Sequence, residues 1–409
     1  MTSENRNNGS KLKNKVLFSA ITACLPLGLQ AAEFTVTEAV DDGTGLVAGT
    51  LSKAILDANS NPGHDTIILN TNVGFSGVMK RLIDSDVTLQ SDQMVRTISG
   101  LNAFRPLFVK SGNVQIKDIT LANSSAKGGN TGGTGGAPGA GMGGSLFIYD
   151  GDVKLNNVTI DNSVAVGGDR SVVTNYANGG GGMFGNAAGN SGGGLFGDSD
   201  AMQPIGGYGG YGNYQNNDAM FGTGGYATLY GQQGGFGGGG GSGYFGGRGG
   251  FGGGGGQGSQ GYGYGYVDPY GGYGGFGAGG GTGLADGAAG YAAGLSYSAG
   301  LGGAVFVRSG SLRMENVTIS NSTALSDGTA KGLGGGIFIL HSTNNSNGNN
   351  QGMPSELATV SGCGVSFTNN SADNTDNNGA NTDDVFDLGN RIQGSLDGEC
   401  PIFKNGFED

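Results

Sequence analysis

Apolar and polar residues alternate in short bursts with a period of two, and turn residues separate the bursts. Val153-Lys154-Leu155 and Leu312-Arg313-Met314 place a cation between two apolar residues, and Val158-Thr159-Ile160 and Val317-Thr318-Ile319 alternate again. Leu146-Phe147-Ile148 and Val305-Phe306-Val307 precede them as β-prone runs, with glycine turns at Gly151 and Gly310 between. The pattern predicts two or three short strands in each unit of 25 residues, without helical periodicity. One segment differs. Leu51, Ile55 and Ala58 share a helical face with Ala54 beside them, Asn61-Pro62-Gly63 stops the helix, and a strand begins over Thr66–Leu69.

The units repeat. Residues 141–165 and 300–324 align without a gap at an offset of 159, with 12 identities in 25 positions. A third copy, residues 108–126, lies 39 residues before the first and lacks its double glycine. A fourth is split into 332–340 and 365–372 by a polar insert. Gly143-Gly144 and Gly302-Gly303 permit a tight turn or a close backbone approach. One unit cannot bury its apolar face alone, so successive units are expected to stack, Phe on Phe and Ile on Ile, in a core one coil wide. The expected fold is all-β, a parallel β-helix with residues 33–70 as cap and first coil. Asn123, Asn162, Asn321 and Asn369 recur after the last strand of each unit and are expected to form an internal amide ladder; ligand binding or glycosylation is the alternative.

Composition adds a second feature. Of 93 glycines, 67 fall in residues 128–302. In residues 206–281, 38 of 76 positions are glycine and 16 are Tyr or Phe, while only Asp218, Arg248 and Asp268 carry charge. Glycine loses the most entropy on ordering, so this block is expected to be a disordered loop extruded from one corner of the repeat array. The alternative is a sticky patch, in which aromatic side chains spaced by glycine mediate self-association or adhesion. Tyr208, Tyr211, Tyr214, Tyr244, Tyr262, Tyr264 and Tyr266 are its candidate adhesive residues. The block holds no Gly-Lys-Ser/Thr, so it is not a phosphate loop.

The N-terminus has the form of a secretory signal. Lys11, Lys13 and Lys15 precede an apolar run from Val16 to Leu29, and Gln30-Ala31-Ala32 suits cleavage near residue 31. Ile21-Thr22-Ala23-Cys24 also fits the short pattern before a lipid-modified cysteine, the less favoured route. After cleavage 16 basic and 31 acidic residues remain, a net charge of −15, which argues against a nucleic-acid partner. No membrane span is expected after cleavage. Cys363 and Cys400 are the disulfide candidate of an oxidising compartment, two free thiols being the alternative. No catalytic or cofactor site is assigned. Asp118, Asp150, Asp152 and Asp161 are the carboxylates nearest the repeats and do not obviously converge, and Lys117, Lys154, Arg308 and Arg313 fit solvated strand faces. No metal ligand set is assigned either, since His64 and His341 lack ligand spacing. Calcium is a weaker option at Asp373, Asp376, Asp383, Asp384 and Asp387, against a solvated acidic linker.

These residues resemble secreted bacterial β-helix proteins. Thr50-Leu51-Ser52-Lys53-Ala54-Ile55 is similar to the CSLREAI motif, with Gly49 at its cysteine position. Gly302-Gly303-Ala304-Val305 and Phe367-Thr368-Asn369-Asn370 resemble the GGA(I/L/V) and FxxN motifs of polymorphic outer-membrane-protein repeats. Residues 401–408 resemble a short ending found on exported proteins of gammaproteobacteria. The resemblance implies a right-handed, pectate-lyase-like solenoid on an exported surface protein, and residues 373–409 are too few to form the membrane barrel of the larger autotransporters. The expected organisation is a signal peptide (1–31), a cap with the first coils (32–127), a glycine-rich loop (128–140), a coil (141–168), the low-complexity insertion (169–299), C-terminal coils (300–388) and a tail (389–409). The favoured reading is a non-catalytic adhesin of the cell surface or extracellular matrix, with surface components or itself as partner. The alternative is a β-helix lyase or hydrolase of acidic glycans.

Overall fold

The computed structural model describes residues 31–132, 135–170, 178–199, 221–225, 230–258, 270–326, 328–341, 347–373 and 383–401. Residues 1–30 of the proposed signal peptide, Cys24 among them, and residues 402–409 of the tail lie outside them. The fold is all-β, with parallel strands throughout its named sheets. Its one helix among the described residues, Leu51–Ala58, is capped by the Thr50 hydroxyl and packs Leu51, Ala54, Ile55 and Ala58 into the core beside the strands Glu33–Val36 and Asp65–Leu69. No helix among the described residues is long and apolar enough to cross a membrane.

Each repeat gives one strand to each of three sheets, in the same order. Leu107–Ser111, Leu146–Ile148, Val305–Val307 and Ile337–Ile339 pair in one six-stranded sheet. Asn113–Lys117, Asp152–Asn156, Ser311–Glu315 and Thr359–Cys363 pair in an eight-stranded sheet. Ile119–Lys127, Thr159–Val166, Thr318–Ser320 and Ser366–Thr368 pair in the third. The register keeps the sequence offsets: Leu146 lies beside Leu107 and Val305, while Thr318 lies beside Ser366. The split fourth repeat thus stacks on residues 300–324, and its polar insert loops out between Ile337–Ile339 and Thr359–Cys363.

Within Leu146-Phe147-Ile148 the two aliphatic side chains join the core between the sheets, and Phe147 joins a second core on the opposite face. Phe108, Phe306 and Phe338 follow Phe147. The expected Phe-on-Phe stack therefore exists outside the inter-sheet core, and what covers it is the glycine block. The described part of that block is not an extruded loop. Its segments lie side by side as hydrogen-bonded rows.

The rows have threefold order. Gly238 and Gly241 donate to Gly235 and Gln232 of the preceding row, Gly239 donates to Gly193, and Gly240 donates to Gly254. One repeat on, Gly253 and Gly256 donate to Gly250 and Gly247, Gly254 to Gly181, and Gly255 to Gly279. Amides that point in three directions before the pattern returns are those of a three-residue turn, as in a polyproline-II chain. Only glycine fits between such rows: a Cβ on Gly239 would stand 1.9 Å from the Gly180 carbonyl oxygen, and one on Gly254 would stand 1.9 Å from that of Ala137. The entropic cost of ordering glycine is offset by hydrogen bonds from most of the row amides and by burial of the aromatic residues at the row ends.

The asparagines sit differently from expectation. Asn123, Asn162, Asn321 and Asn369 have φ between 50° and 55°, a left-handed corner that Asn tolerates well. Their side chains are half-buried or exposed, and the ladder is interrupted. Asn162 donates to Asn123 (2.7 Å) and Asn369 to Asn321 (3.4 Å), but Asn321 donates to Asp161 (2.8 Å). The corner turns the next residue inward, so Ser124, Ser163, Ser322 and Asn370 are the buried polar groups. Asp118, Asn157 and Asn316 form a second left-handed column, with Asn157 donating to Asp118 and Asn316 to Asn157.

Cys363 and Cys400 are joined by a disulfide across a sequence separation of 37. It ties the C-terminal segment to the last long strand of the eight-stranded sheet. Reducing it, or replacing both cysteines by serine, is expected to lower stability by about 3–4 kcal/mol. Denaturation of the oxidised and reduced protein checks this; equal midpoints would contradict it.

Candidate functional site

Two aromatic columns hold the glycine rows on the six-stranded sheet. On the sheet, Phe108, Phe147, Phe306, Phe338 and Phe386 stack with centroids 4.7–5.1 Å apart. On the rows, Phe221, Phe236, Phe251, Phe276 and Tyr291 stack at 5.1–5.2 Å. The columns meet edge to face, Phe147 on Phe236 and Phe306 on Phe251 at 6.0 Å each, with Phe338 on Phe276 at 6.2 Å. One row faces one strand because both repeats advance by about the 4.7–4.9 Å spacing of hydrogen-bonded strands.

Two arginines fasten this seam. Arg308 is 6% exposed, contrary to the solvated position expected for it. Its guanidinium lies 4.0 Å from the Tyr149 ring centroid and donates to the carbonyls of Tyr149 and Gly352. Burial lowers its pKa. Arg105 lies over Phe108 and Phe147 and donates to Met142, and burial pushes its pKa down to about 10, so it stays charged at neutral pH. The polar insert of the fourth repeat crosses the rows from the other side. Asn347 donates to Gly274, Ala288 and Ala289, Asn349 to Gly249 and Gly274, and Gln351 to Gly234.

His341 packs at the end of the seam, 4.8 Å from the Tyr291 ring and near Phe276, Phe338 and Phe386. Burial lowers its pKa from the ordinary 6.5, with Asp387 acting in the opposite direction. The folded state therefore binds this proton more weakly than the unfolded chain does. The stability it contributes is full above 6.5 and is lost as pH falls through the lowered value. His341→Phe is expected to flatten the fall in melting temperature below pH 6.5; an unchanged slope would contradict that.

Among the described residues a further face of the rows, away from the seam and the polar insert, is exposed at Tyr230, Arg248 and Tyr270. Within each row a side chain recurs at every third position: Phe245-Gly-Gly-Arg248-Gly-Gly-Phe251, then Tyr270-Gly-Gly-Tyr273-Gly-Gly-Phe276. The third member of each set is buried in the seam. The first members form an outer column, Tyr230 on Phe245 at 5.6 Å and Phe245 on Tyr270 at 6.0 Å, with Tyr230 62% and Tyr270 47% exposed. The second members lie beside them, with the Arg248 guanidinium 5.1 Å from the Tyr273 ring centroid. The result is an ordered face of aromatic rings bearing one cation.

Of the sequence-derived adhesive candidates, Tyr244 lies on this face, edge-on to Phe245 at 5.0 Å. Tyr208, Tyr211, Tyr214, Tyr262, Tyr264 and Tyr266 lie outside the described residues. The described residues of this face are Tyr230, Phe245, Tyr270 and Tyr273, and their spacing of three or six from the buried rings is visible in the sequence. The acidic candidates are engaged in local structure. Asp118 accepts from Asn157, Asp152 from Ser311, and Asp161 from Ser320 and Asn321. Asp383 accepts from Ala372, Asp384 from Asn370, and Asp387 from Arg391 and Ile392, while Asp376 lies outside the described residues. Among the described residues no three His, Cys, Asp or Glu side chains group as a metal site. Comparison with protein-family models, curated proteins and solved structures finds no match.

Proposed function

We propose that this chain is an exported bacterial surface or matrix protein, built as a right-handed parallel β-helix, that works by adhesion or self-association. The observation that carries this reading is the outer column Tyr230–Phe245–Tyr270, held in line by glycine rows that are themselves fixed to the sheets. Rings immobilised in this way present apolar area at little entropic cost on contact. The strand order and constant register support the β-helix, since each repeat visits the three sheets in turn. The N-terminal signal pattern and the resemblance to CSLREAI and polymorphic outer-membrane-protein repeats support export. The partners in this reading are surface or matrix components or a second copy, and it needs no cofactor.

The test is the triple substitution Tyr230→Ser, Phe245→Ser, Tyr270→Ser in the full chain, displayed on cells. Cell aggregation and surface attachment should fall at least severalfold while the melting temperature changes little. Unchanged attachment by a folded triple variant would overturn the reading.

A further inference from the structure

A cleft lies where the helix Leu51–Ala58 ends beside the six-stranded sheet and the first glycine row. It encloses about 300 Å³, at the lower end of the range for small-ligand sites. Leu56, Leu82 and Phe221 form its apolar walls, and Ser60, Asp84 and Lys110 its polar edge. The Lys110 ammonium lies 2.5 Å from Asp84 and 5.9 Å from the centre of the Phe221 ring.

The site is held in shape from behind. Asn59 donates to the Leu82 carbonyl and accepts from the Asp84 amide and the Ser85 hydroxyl, which fixes the strand that carries Asp84. Ser111 donates to the other oxygen of Asp84. Phe221 is the end ring of its column, backed by Phe236 at 5.1 Å and Phe108 at 6.2 Å.

The charges select the ligand class. Asp84 and Lys110 neutralise each other, so an ionic ligand would have to break their pair. Each side chain is 37–38% exposed, and each keeps hydrogen-bonding capacity beyond the pair. A donor and an acceptor set side by side match a hydroxyl group, which both accepts and donates. Apolar walls opposite such an edge match the C–H face of a sugar ring. We propose that this cleft binds a neutral saccharide unit, with Asp84 accepting from and Lys110 donating to its hydroxyls and Phe221 against its C–H face. The site is separate from the outer aromatic column and stands without the adhesion reading.

The full chain is titrated, by calorimetry and saturation-transfer NMR, with trisaccharides of glucose, galactose, mannose and N-acetylglucosamine, and with trigalacturonate as the acidic comparison. At least one neutral trisaccharide should bind, and trigalacturonate should bind more weakly. Asp84→Asn, Lys110→Met and Phe221→Ala should each weaken binding tenfold or more. Ser60→Trp, at an exposed position on the rim, should block the cleft without touching the core. Met94→Ser, at an exposed position that does not line the cleft, should leave binding unchanged. Absence of binding by every neutral trisaccharide overturns the proposal, as does preference for trigalacturonate or full affinity in folded Ser60→Trp.

Discussion

Phe251→Ala is expected to destabilise the protein by about 3–5 kcal/mol, the range for emptying a fully buried phenylalanine site. Phe251 stacks between Phe236 and Phe276 at 5.2 Å on either side and meets Phe306 edge to face. Its loss interrupts one column and leaves a gap against the other. The neighbouring rings are fixed by backbone pairing on both sides, so the site cannot collapse, which places the cost toward the upper end. Equilibrium denaturation of the wild type and the variant measures it. A change below about 1 kcal/mol, as expected of an exposed loop position, would show that the glycine rows are not seated on the sheet.

Gly254→Ala should cost about 3 kcal/mol, at the upper end for overpacking, although it adds a single methyl group. The new Cβ would stand 1.9 Å from the Ala137 carbonyl oxygen and 2.6 Å from its carbon. Both obstacles are backbone, so no rotamer change relieves them, and moving the row breaks its bonds to Gly181 and Gly279. Gly398→Ala is the matched control, because nothing lies within 4 Å of its added Cβ. In a flexible loop the first substitution would instead be mildly stabilising, by reducing the entropy of the unfolded chain. The sign of the effect therefore separates the two pictures.

The repeat array was legible because strand period, turn glycines and offsets agree. The offset of 159 is the observed register between residues 141–165 and 300–324, and the split fourth unit stacks where its halves indicated. The order in the described part of the glycine block is not legible from glycine content, which by itself favours a disordered loop. Two signals pointed the other way. Leu146-Phe147-Ile148 and Val305-Phe306-Val307 lack the polar alternation of their neighbours, which is the mark of a strand buried on both faces. Phe236, Phe251 and Phe276 also recur in one local context, Gly-Gly-Phe-Gly, each with an aromatic residue six positions before and a Gln, Arg or Tyr three before. The asparagine corner differs from expectation by one residue: a left-handed φ reverses the inside–outside alternation, so the residue after each asparagine (Ser124, Ser163, Ser322 or Asn370) points inward. Arg308 could not be placed from its own strand, because its cover comes from Gly352 and Phe251, distant in sequence.

Hydrogen–deuterium exchange on the intact protein tests most directly whether the glycine rows form part of the folded body. The amides of Gly239, Gly240, Gly254 and Gly255 each donate to a neighbouring row. They are expected to exchange at least a hundredfold more slowly than an unstructured glycine peptide, and to share the protection of the strand Val305–Val307. Exchange of these four amides at the free-peptide rate, with that strand still protected, would contradict the account.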